Sequence, residues 1–203
     1  MPHVIPLAIL RDVRAVLRDG VTAEGAQCWT GYALLLIVGF GRIALANRYG
    51  ELALAQVERL GRRDLWPRMA FIVYAVVRPW TTAMAEIVAP LRSIYARALE
   101  VGDLTIAVLG ASMADLYAFH SGATLDDLRP QMEGTVQAIA QHGIASARAP
   151  HAELVRSVRI LLDPAGADVR HAPTVSDDAS AAIRFEIALN DLHRALLFGD
   201  PAA

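Results

Sequence analysis

The chain has 203 residues, of which 55% are hydrophobic, 20% are charged and 6% are aromatic, and its mean hydropathy is +0.36. Abundant alanine with few aromatic residues favours close-packed helices over a β-sandwich. A formal net charge of −2 argues against nucleic acid as the main partner, and a single cysteine excludes an internal disulfide framework.

Apolar residues recur at helical spacing along nearly the whole chain, and glycine and proline divide it into segments. The predicted fold is therefore all-α. The predicted helices span Val4–Arg18, Gly25–Val38, Arg42–Leu60, Leu65–Val77, Thr81 or Thr82 to Val101, Leu104–His120, Leu125–His142, Pro150–Leu162 and Ala179–Leu197.

Several of these helices carry start signals. The predicted N-caps are Asp64, Thr81 or Thr82, Asp103 and Thr124, whose side-chain oxygens are suited to the unpaired amides of a first turn. Pro67 falls in a predicted first turn, where its missing N–H has no cost, whereas Pro90 falls mid-helix and predicts a kink.

The stretch from Thr30 to Gly41, "TGYALLLIVGFG", contains no charged residue and raises the possibility of a membrane span. A span needs about 20 apolar residues, and a window of that length places Arg42 inside the bilayer. We therefore predict no membrane span. Gly39 and Gly41 are predicted to end this run, which forms the first helix of a buried hairpin.

The two ends of the chain differ from its middle. Residues 1–22 are predicted to form an N-terminal helix, and the early charges of "MPHVIPLAILRD" are not those of a signal peptide, so a cytoplasmic location is predicted. Residues 163–178, "DPAGADVRHAPTVSDD", lack an apolar period and predict a long loop before the last helix.

The predicted helices pair into hairpins that repeat about every 40 residues. Tyr49–Leu54, "YGELAL", and Tyr95–Leu99, "YARAL", each place an aromatic residue and an alanine on one helix face. Such small residues let helices approach closely. The pattern predicts one domain over residues 1–203, a right-handed superhelix of antiparallel hairpins of the tetratricopeptide (TPR) type.

Several motifs together resemble one family: "NRYGELALAQVERL" (47–60), "RPW" (78–80), "RALEVGDLTIA" (97–107), "FHSGATLDDL" (119–128) and "LLFGD" (196–200). In their order and spacing they resemble the helical, TPR-like region of large multidomain signalling ATPases, over roughly residues 23–200. Relatives of that kind join a protein-kinase-like domain, a P-loop ATPase, this helical region, a GAF domain and often a histidine kinase.

The resemblance implies a non-catalytic protein-interaction or regulatory scaffold that couples the binding of a partner or ligand to an attached ATPase or kinase. The chain contains no phosphate-binding GxxxxGK[ST] loop and no HRD or DFG kinase motif, so it is not predicted to be an enzyme. No cofactor is predicted. The expected partner is a neighbouring ATPase or kinase domain or a peptide.

Polar residues that are candidates for chemistry have simpler explanations. Asp115 and His120 do not share a helix face, and His120 is suited to the negative end of its helix. No two histidines lie four residues apart, so no metal site is predicted. Cys28 lacks a neighbouring base and is predicted to be a small packing residue.

Three further sets of residues have two interpretations. The pairs Asp126-Asp127 and Asp177-Asp178 are predicted to serve a helix start and a loop rather than acid–base chemistry. The pair Arg62-Arg63 is mixed with acidic residues and predicts a solvated face. The tryptophans are predicted to pack between layers, with a binding groove as the alternative; they are Trp29, Trp66 and Trp80.

The predicted interaction surface consists of Arg78, Trp80, Tyr95 and Tyr117. The alternative function is that of a small-molecule sensor with a pocket between hairpins, in which Tyr74, Asp115 and Tyr117 supply polar groups. A membrane-associated helical protein is a third alternative.

Overall fold

A computed structural model describes residues 4–20, 22 and 25–163, together with Arg184, Phe185, Ala188, Leu189 and Leu192. Every regular element in these ranges is helical, which confirms the all-α prediction. The α-helices are α1 (Val4–Asp19), α2 (Cys28–Phe40), α3 (Ile43–Arg59), α4 (Trp66–Ile72), α5 (Met84–Glu100), α6 (Leu104–His120), α7 (Leu125–His142) and α8 (Ala145–Leu162). Shorter elements are 3₁₀ turns at Gly25–Gln27 and Arg78–Trp80 and a π-helical segment at Val73–Val77.

The chain divides into two compact units, Met1–Tyr117 and Ala118–Ala203. The prediction of one repeat domain over residues 1–203 stays a prediction, and so does a right-handed superhelix.

Neighbouring helices of the first unit run antiparallel. Trp29 at the start of α2 donates its indole N–H to Gln56 near the end of α3, over 2.8 Å. Trp66 at the start of α4 lies against Arg97 near the end of α5. The centre of this unit is filled by fully buried aliphatic side chains, and their removal from water is the main stabilising term. These include Val57, Met69, Ile87, Leu91 and Ile94.

The apolar run from Thr30 to Gly41 becomes α2, and it ends where its glycines predict. Gly41 adopts the left-handed conformation (φ 62°), and its N–H and that of Arg42 bond to the carbonyls of Ile37 and Leu36. Leu36 and Ile37 are buried in a cluster with residues of the next helices, as predicted for the first helix of a hairpin. Val38 remains 83% exposed.

Among the described residues, no helix combines the length and the apolar character that crossing a bilayer requires.

Some predicted features of this region are wrong. The helix predicted to end at Val77 does reach that residue, but it loses its α-helical geometry after Ile72 and continues as a π-helical segment. The next helix begins at Met84 after Ala83 because the hydroxyl of Thr81 is engaged elsewhere, by the amide of Asn47 and the carbonyl of Arg78. Asp64 is not the cap of α4, since its carboxylate pairs with Arg62.

Other start signals are correct. Asp103 accepts a hydrogen bond from the amide of Ile106 at 3.3 Å, as an N-cap does. Thr124 occupies the N-cap position of α7, although its hydroxyl bonds to the carboxylate of Asp127 rather than to a backbone amide. Pro67 lies in the first turn of α4. Pro90 lies inside α5, and the predicted kink there stays a prediction.

The second unit contains α7 and α8 packed together. Helix α8 begins at Ala145 rather than at Pro150, so this proline lies inside the helix. Met132 and Leu154 are fully buried, and the ring of His151 is hydrogen-bonded at 3.3 Å to the carbonyl of Met132.

Some predictions fall outside the described residues. The predicted loop 163–178 lies there from residue 164 onwards, together with the "LLFGD" motif and His3, His171 and His193. Within the predicted last helix, Ala179–Leu197, the few described positions are helical.

Candidate functional site

The predicted interaction residues do not form one surface. Arg78 and Trp80 lie in the 3₁₀ turn between the π-helical segment and α5, and the Trp80 side chain is 59% exposed. Tyr95 is half-buried in α5. Tyr117 is only 7% exposed, and its hydroxyl donates a 2.6 Å hydrogen bond to the carbonyl of Ala75. Trp80 and Arg78 therefore remain as the surface part of the predicted set.

A polar network fastens the turn that carries Trp80 to α3. The guanidinium Nη2 of Arg78 donates to Glu51 Oε1 at 3.1 Å, and the amide Nδ2 of Asn47 donates to the hydroxyl of Thr81 at 2.6 Å. That hydroxyl lies 3.4 Å from the carbonyl of Arg78, to which it donates. Because Asn47 and Glu51 are one helical turn apart on α3, both ends of the turn are held by one helix face.

The same network has unused hydrogen-bonding capacity. Arg78 Nε and Asn47 Oδ1 are both buried, and neither has a hydrogen-bond partner among the described residues. A buried donor and a buried acceptor left in this way are unfavourable unless water or a ligand group bonds to them. The turn that carries Trp80 thus combines a base held by hydrogen bonds and an exposed aromatic side chain with two buried polar atoms that lack a partner among the described residues.

The residues of the predicted sensor pocket make internal contacts. Asp115 is completely buried, and one of its oxygens lies 3.4 Å from Arg92 Nη2. Tyr117 bonds to the carbonyl of Ala75, and Tyr74 packs half-buried against the core. These contacts fasten α6 to α5 and to the π-helical segment. The pocket described below, at Trp66, is lined by other residues.

The π-helical segment Val73–Val77 was not predicted from the sequence. Such segments replace a turn of α-helix at some functional sites, because they shift the register of the side chains that follow. Here the segment directly precedes the Trp80 turn, and Tyr117 donates to one of its carbonyls. The signal of irregular geometry in the sequence is weak: four of the six residues from Ile72 to Val77 are β-branched, and Pro79 follows them.

A pocket of about 480 Å³ lies where the α3–α4 turn meets the end of α5. Its lining includes Trp66, Arg97, both members of the Arg62-Arg63 pair and the carboxylates Glu58 and Glu100. Trp66 therefore lines a cavity, and its role in a binding groove stays a prediction, while Trp29 is buried and bonded to Gln56. Sequence reasoning missed Arg97, since only the antiparallel packing of α4 and α5 brings it to Trp66.

Cys28 is half-buried at the start of α2, against the core of the first unit. Burial raises the pKa of its thiol to about 11, and the nearby charge of Asp12 contributes in the same direction. Such a thiol is almost entirely protonated at neutral pH and is a poor nucleophile. No cluster of three or more histidine, cysteine, aspartate or glutamate side chains suited to a metal ion occurs in the described part of the chain.

Two of the motifs on which the predicted resemblance rests supply structural positions. "RYGELAL" supplies Glu51 to the Arg78 network and Gly50 to the contact with the π-helical segment, and "EVGDL" supplies the cap of α6. Comparison with protein-family models, curated proteins and solved structures finds no match for the chain. The resemblance to the helical region of signalling ATPases therefore stays a prediction.

Proposed function

We propose that the protein is a non-catalytic interaction and regulatory scaffold, working as the TPR-like helical region of signalling ATPases does. It binds a protein partner, either a peptide or a neighbouring ATPase or kinase domain, and passes that event to the ATPase or kinase. The cytoplasm is the compartment in which such a scaffold would act.

The exposed side chain of Trp80 is the observation that carries this proposal. Large aromatic residues dominate binding energy at protein interfaces, provided that they are presented on a rigid base. The bonds of Arg78 to Glu51 and of Asn47 to Thr81 supply that base.

Site-specific photocrosslinking in the native host tests the proposal. A photoreactive phenylalanine analogue replaces Trp80 in one variant and Leu99, a 38% exposed apolar residue near the opposite end of α5, in the control. We expect position 80 to capture one recurrent ATPase or kinase that position 99 does not capture. Capture of the same mixture of proteins from both positions, or of none, would contradict the proposal.

Thr81→Ala provides a second arm of this experiment. It removes the hydroxyl that joins Asn47 to the carbonyl of Arg78 without touching the indole of Trp80. If the rigid base matters, crosslinking from position 80 falls in this background. The sequence of the flanking DNA gives an independent check, since an in-frame P-loop ATPase upstream supports the resemblance.

A second candidate function is that of a small-molecule sensor. The residues predicted to supply polar groups to its pocket make internal contacts; they are Tyr74, Asp115 and Tyr117. The observation that favours a sensor is the pocket at Trp66. A ligand for such a site stabilises the folded protein by RT ln(1 + [L]/Kd), an amount that grows with the ratio of its free concentration to its Kd. A thermal-shift screen of metabolites is the measurement, and it favours the sensor if the melting temperature of the wild type rises while that of a pocket variant does not.

A further inference from the structure

The pocket at the α3–α4 turn contains cationic groups that are not neutralised. Arg63 and Arg97 both line it, and within the described chain neither guanidinium has a carboxylate or other hydrogen-bond acceptor. Arg62 is different because it forms two bonds with Asp64, at 2.9 and 2.7 Å, which also hold the pKa of that carboxyl below its ordinary value. Two arginines of the pocket therefore remain available to an anion.

One of these arginines is fixed in position. The guanidinium carbon of Arg97 lies 4.0 Å from the ring centroid of Trp66, and the indole N–H of Trp66 is held by Glu58 at 3.1 Å. Stacking on an aromatic face leaves the in-plane N–H groups of a guanidinium free to bond a carboxylate. Because Trp66 is itself mostly buried and anchored, the orientation of Arg97 is set before any ligand arrives.

The acidic residues of the pocket limit which anions fit. Glu100 lines the same cavity and has no ion-pair partner within the described chain, and Glu58, which accepts from the Trp66 indole, lines it too. A phosphate or another multiply charged anion would meet these like charges, whereas a simple monoanion would leave Glu100 unmatched. A molecule with a carboxylate and an ammonium group matches both signs.

The remaining walls are apolar. Val57 and Val101 line the pocket beside the charged groups. A volume of about 480 Å³ lies within the range of small-ligand sites and leaves space for an aliphatic side chain.

We propose that this pocket binds a free α-amino acid with an aliphatic side chain. Arg63 and Arg97 bond its carboxylate, Glu100 accepts from its ammonium group, and its side chain lies on Val57 and Val101. The inference rests on the second candidate function, the sensor, and is independent of the Trp80 scaffold.

Nuclear magnetic resonance of the ¹⁵N-labelled full-length chain tests this proposal directly. The three tryptophans give three indole N–H signals, of which only that of Trp66 reports on the pocket, so Trp29 and Trp80 serve as internal controls. The probes are L-leucine, isocaproate, which lacks the ammonium group, and isoamylamine, which lacks the carboxylate. We expect L-leucine alone to shift the Trp66 signal with a Kd of about 1 mM or tighter.

Single substitutions separate the roles of the charged groups. Arg97→Gln and Arg63→Gln should each weaken L-leucine binding at least about tenfold, as expected for a lost charge-assisted hydrogen bond. Arg59→Gln is the matched control, since this exposed arginine at the end of α3 is outside the lining. Glu100→Gln should also weaken L-leucine binding, because it removes the carboxylate that accepts from the ammonium group. If Arg97→Gln disturbs folding, Arg63→Gln still decides, because Arg63 takes no part in the stack on Trp66.

Three results would overturn the proposal. The first is that none of the probes shifts the Trp66 indole signal at about 10 mM, a concentration that corresponds to negligible affinity. The second is that isocaproate binds as tightly as L-leucine, which would identify a general anion site. The third is that Arg59→Gln weakens binding as much as Arg63→Gln does. None of these results bears on crosslinking from position 80.

Discussion

The thiol of Cys28 illustrates how a single side chain is controlled by its surroundings. Burial and the charge of Asp12 both disfavour the thiolate and raise the pKa to about 11. Since only the thiolate attacks an alkylating reagent, we expect slow modification by iodoacetamide at neutral pH. The rate should rise about tenfold per pH unit up to about pH 10 without levelling off. Mass spectrometry of quenched samples measures it, and a plateau near pH 8 would contradict the assigned environment.

The same shift links the stability of the protein to pH. The folded state keeps the Cys28 proton in the window where the unfolded chain, with the ordinary value of 9.0, has released it. The contribution to the free energy of unfolding is therefore complete below pH 9 and is lost as the pH rises from 9 towards 11. Cys28→Ser removes this titrating group. We therefore expect the free energy of unfolding of the wild type to fall relative to that of Cys28→Ser as the pH rises through that window, measured by urea denaturation at each pH.

The hydroxyl of Tyr117 has a measurable structural role. It donates at 2.6 Å to the buried carbonyl of Ala75, inside the π-helical segment. Tyr117→Phe leaves that carbonyl without this donor, and we expect a loss of about 1–2 kcal/mol in the free energy of unfolding. Urea denaturation followed by circular dichroism measures the change. Tyr74→Phe is the matched control, because Tyr74 also packs on the core but its hydroxyl forms no hydrogen bond to a described residue. This control should change stability by less than about 0.5 kcal/mol.

Residue types predicted some of these roles and missed others. A lone cysteine without a nearby base is a packing residue on chemical grounds, and its raised pKa agrees with that interpretation. The pairing of Arg92 with Asp115, by contrast, joins positions 23 residues apart in sequence. The stack of Arg97 on Trp66 likewise depends on how α4 and α5 pack, which no local pattern specifies.

Contact between α5 and α6 depends on a glycine. A Cβ atom at Gly110 would lie 3.3 Å from the backbone carbonyl oxygen of Leu91 and 3.5 Å from the amide nitrogen of Tyr95. Backbone atoms cannot move aside cheaply, so the overpacking cost should exceed the gain of about 1 kcal/mol that alanine brings to a helix. We expect Gly110→Ala to destabilise the protein by about 1 kcal/mol in urea denaturation.

Gly39 provides the matched control for this prediction. It is an exposed position in α2, and a Cβ there would meet only the flexible end of Leu35, at 3.3 Å. Gly39→Ala should therefore stabilise the protein, by about 0.5–1 kcal/mol, through the reduced entropy of the unfolded chain. If both variants change stability in the same direction, close packing at Gly110 is not the determining factor.

Local signals predicted helices best where caps and periodicity act alone. The bounds of α6 and α7 follow from Gly102-Asp103 and from Thr124, and both helices have the predicted limits. The end of α4 and the start of α5 do not, because Thr81 is bonded to Asn47, a residue 34 positions earlier in the chain. A hydroxyl engaged by a distant side chain cannot also cap the helix that follows it.

At the scale of the whole molecule, hydrophobic periodicity predicted an all-α fold but not its geometry. Each helix was predicted to bury one face against its sequence neighbour, and the first unit shows that arrangement in α2, α3, α4 and α5. Periodicity specifies which residues are apolar, but the rotation from one hairpin to the next depends on the shapes of the packed side chains. The right-handed superhelix that the repeat pattern predicts therefore stays a prediction.

The two candidate sites lie at opposite ends of the hairpin that α4 and α5 form. Trp66 starts α4 and contacts Arg97 near the end of α5, whereas Trp80 closes the turn that leads into α5. At about 1.5 Å per residue the two tryptophans are separated by roughly 20 Å along the hairpin. Substitutions at this separation, with no shared contact, act independently on stability.

We therefore expect the effects of Trp80→Ala and Arg97→Gln on the free energy of unfolding to add within about 0.5 kcal/mol. A second double-mutant cycle, Trp66→Phe with Arg97→Gln, should depart from additivity by about 0.5–1 kcal/mol because these side chains stack. Urea denaturation of the single and double variants measures both cycles. Additivity in the first cycle means that the scaffold and the amino-acid pocket can be disabled one at a time. Coupling as large as in the second cycle would instead mean that the α4–α5 hairpin, with its π-helical segment, transmits a change at one end to the other.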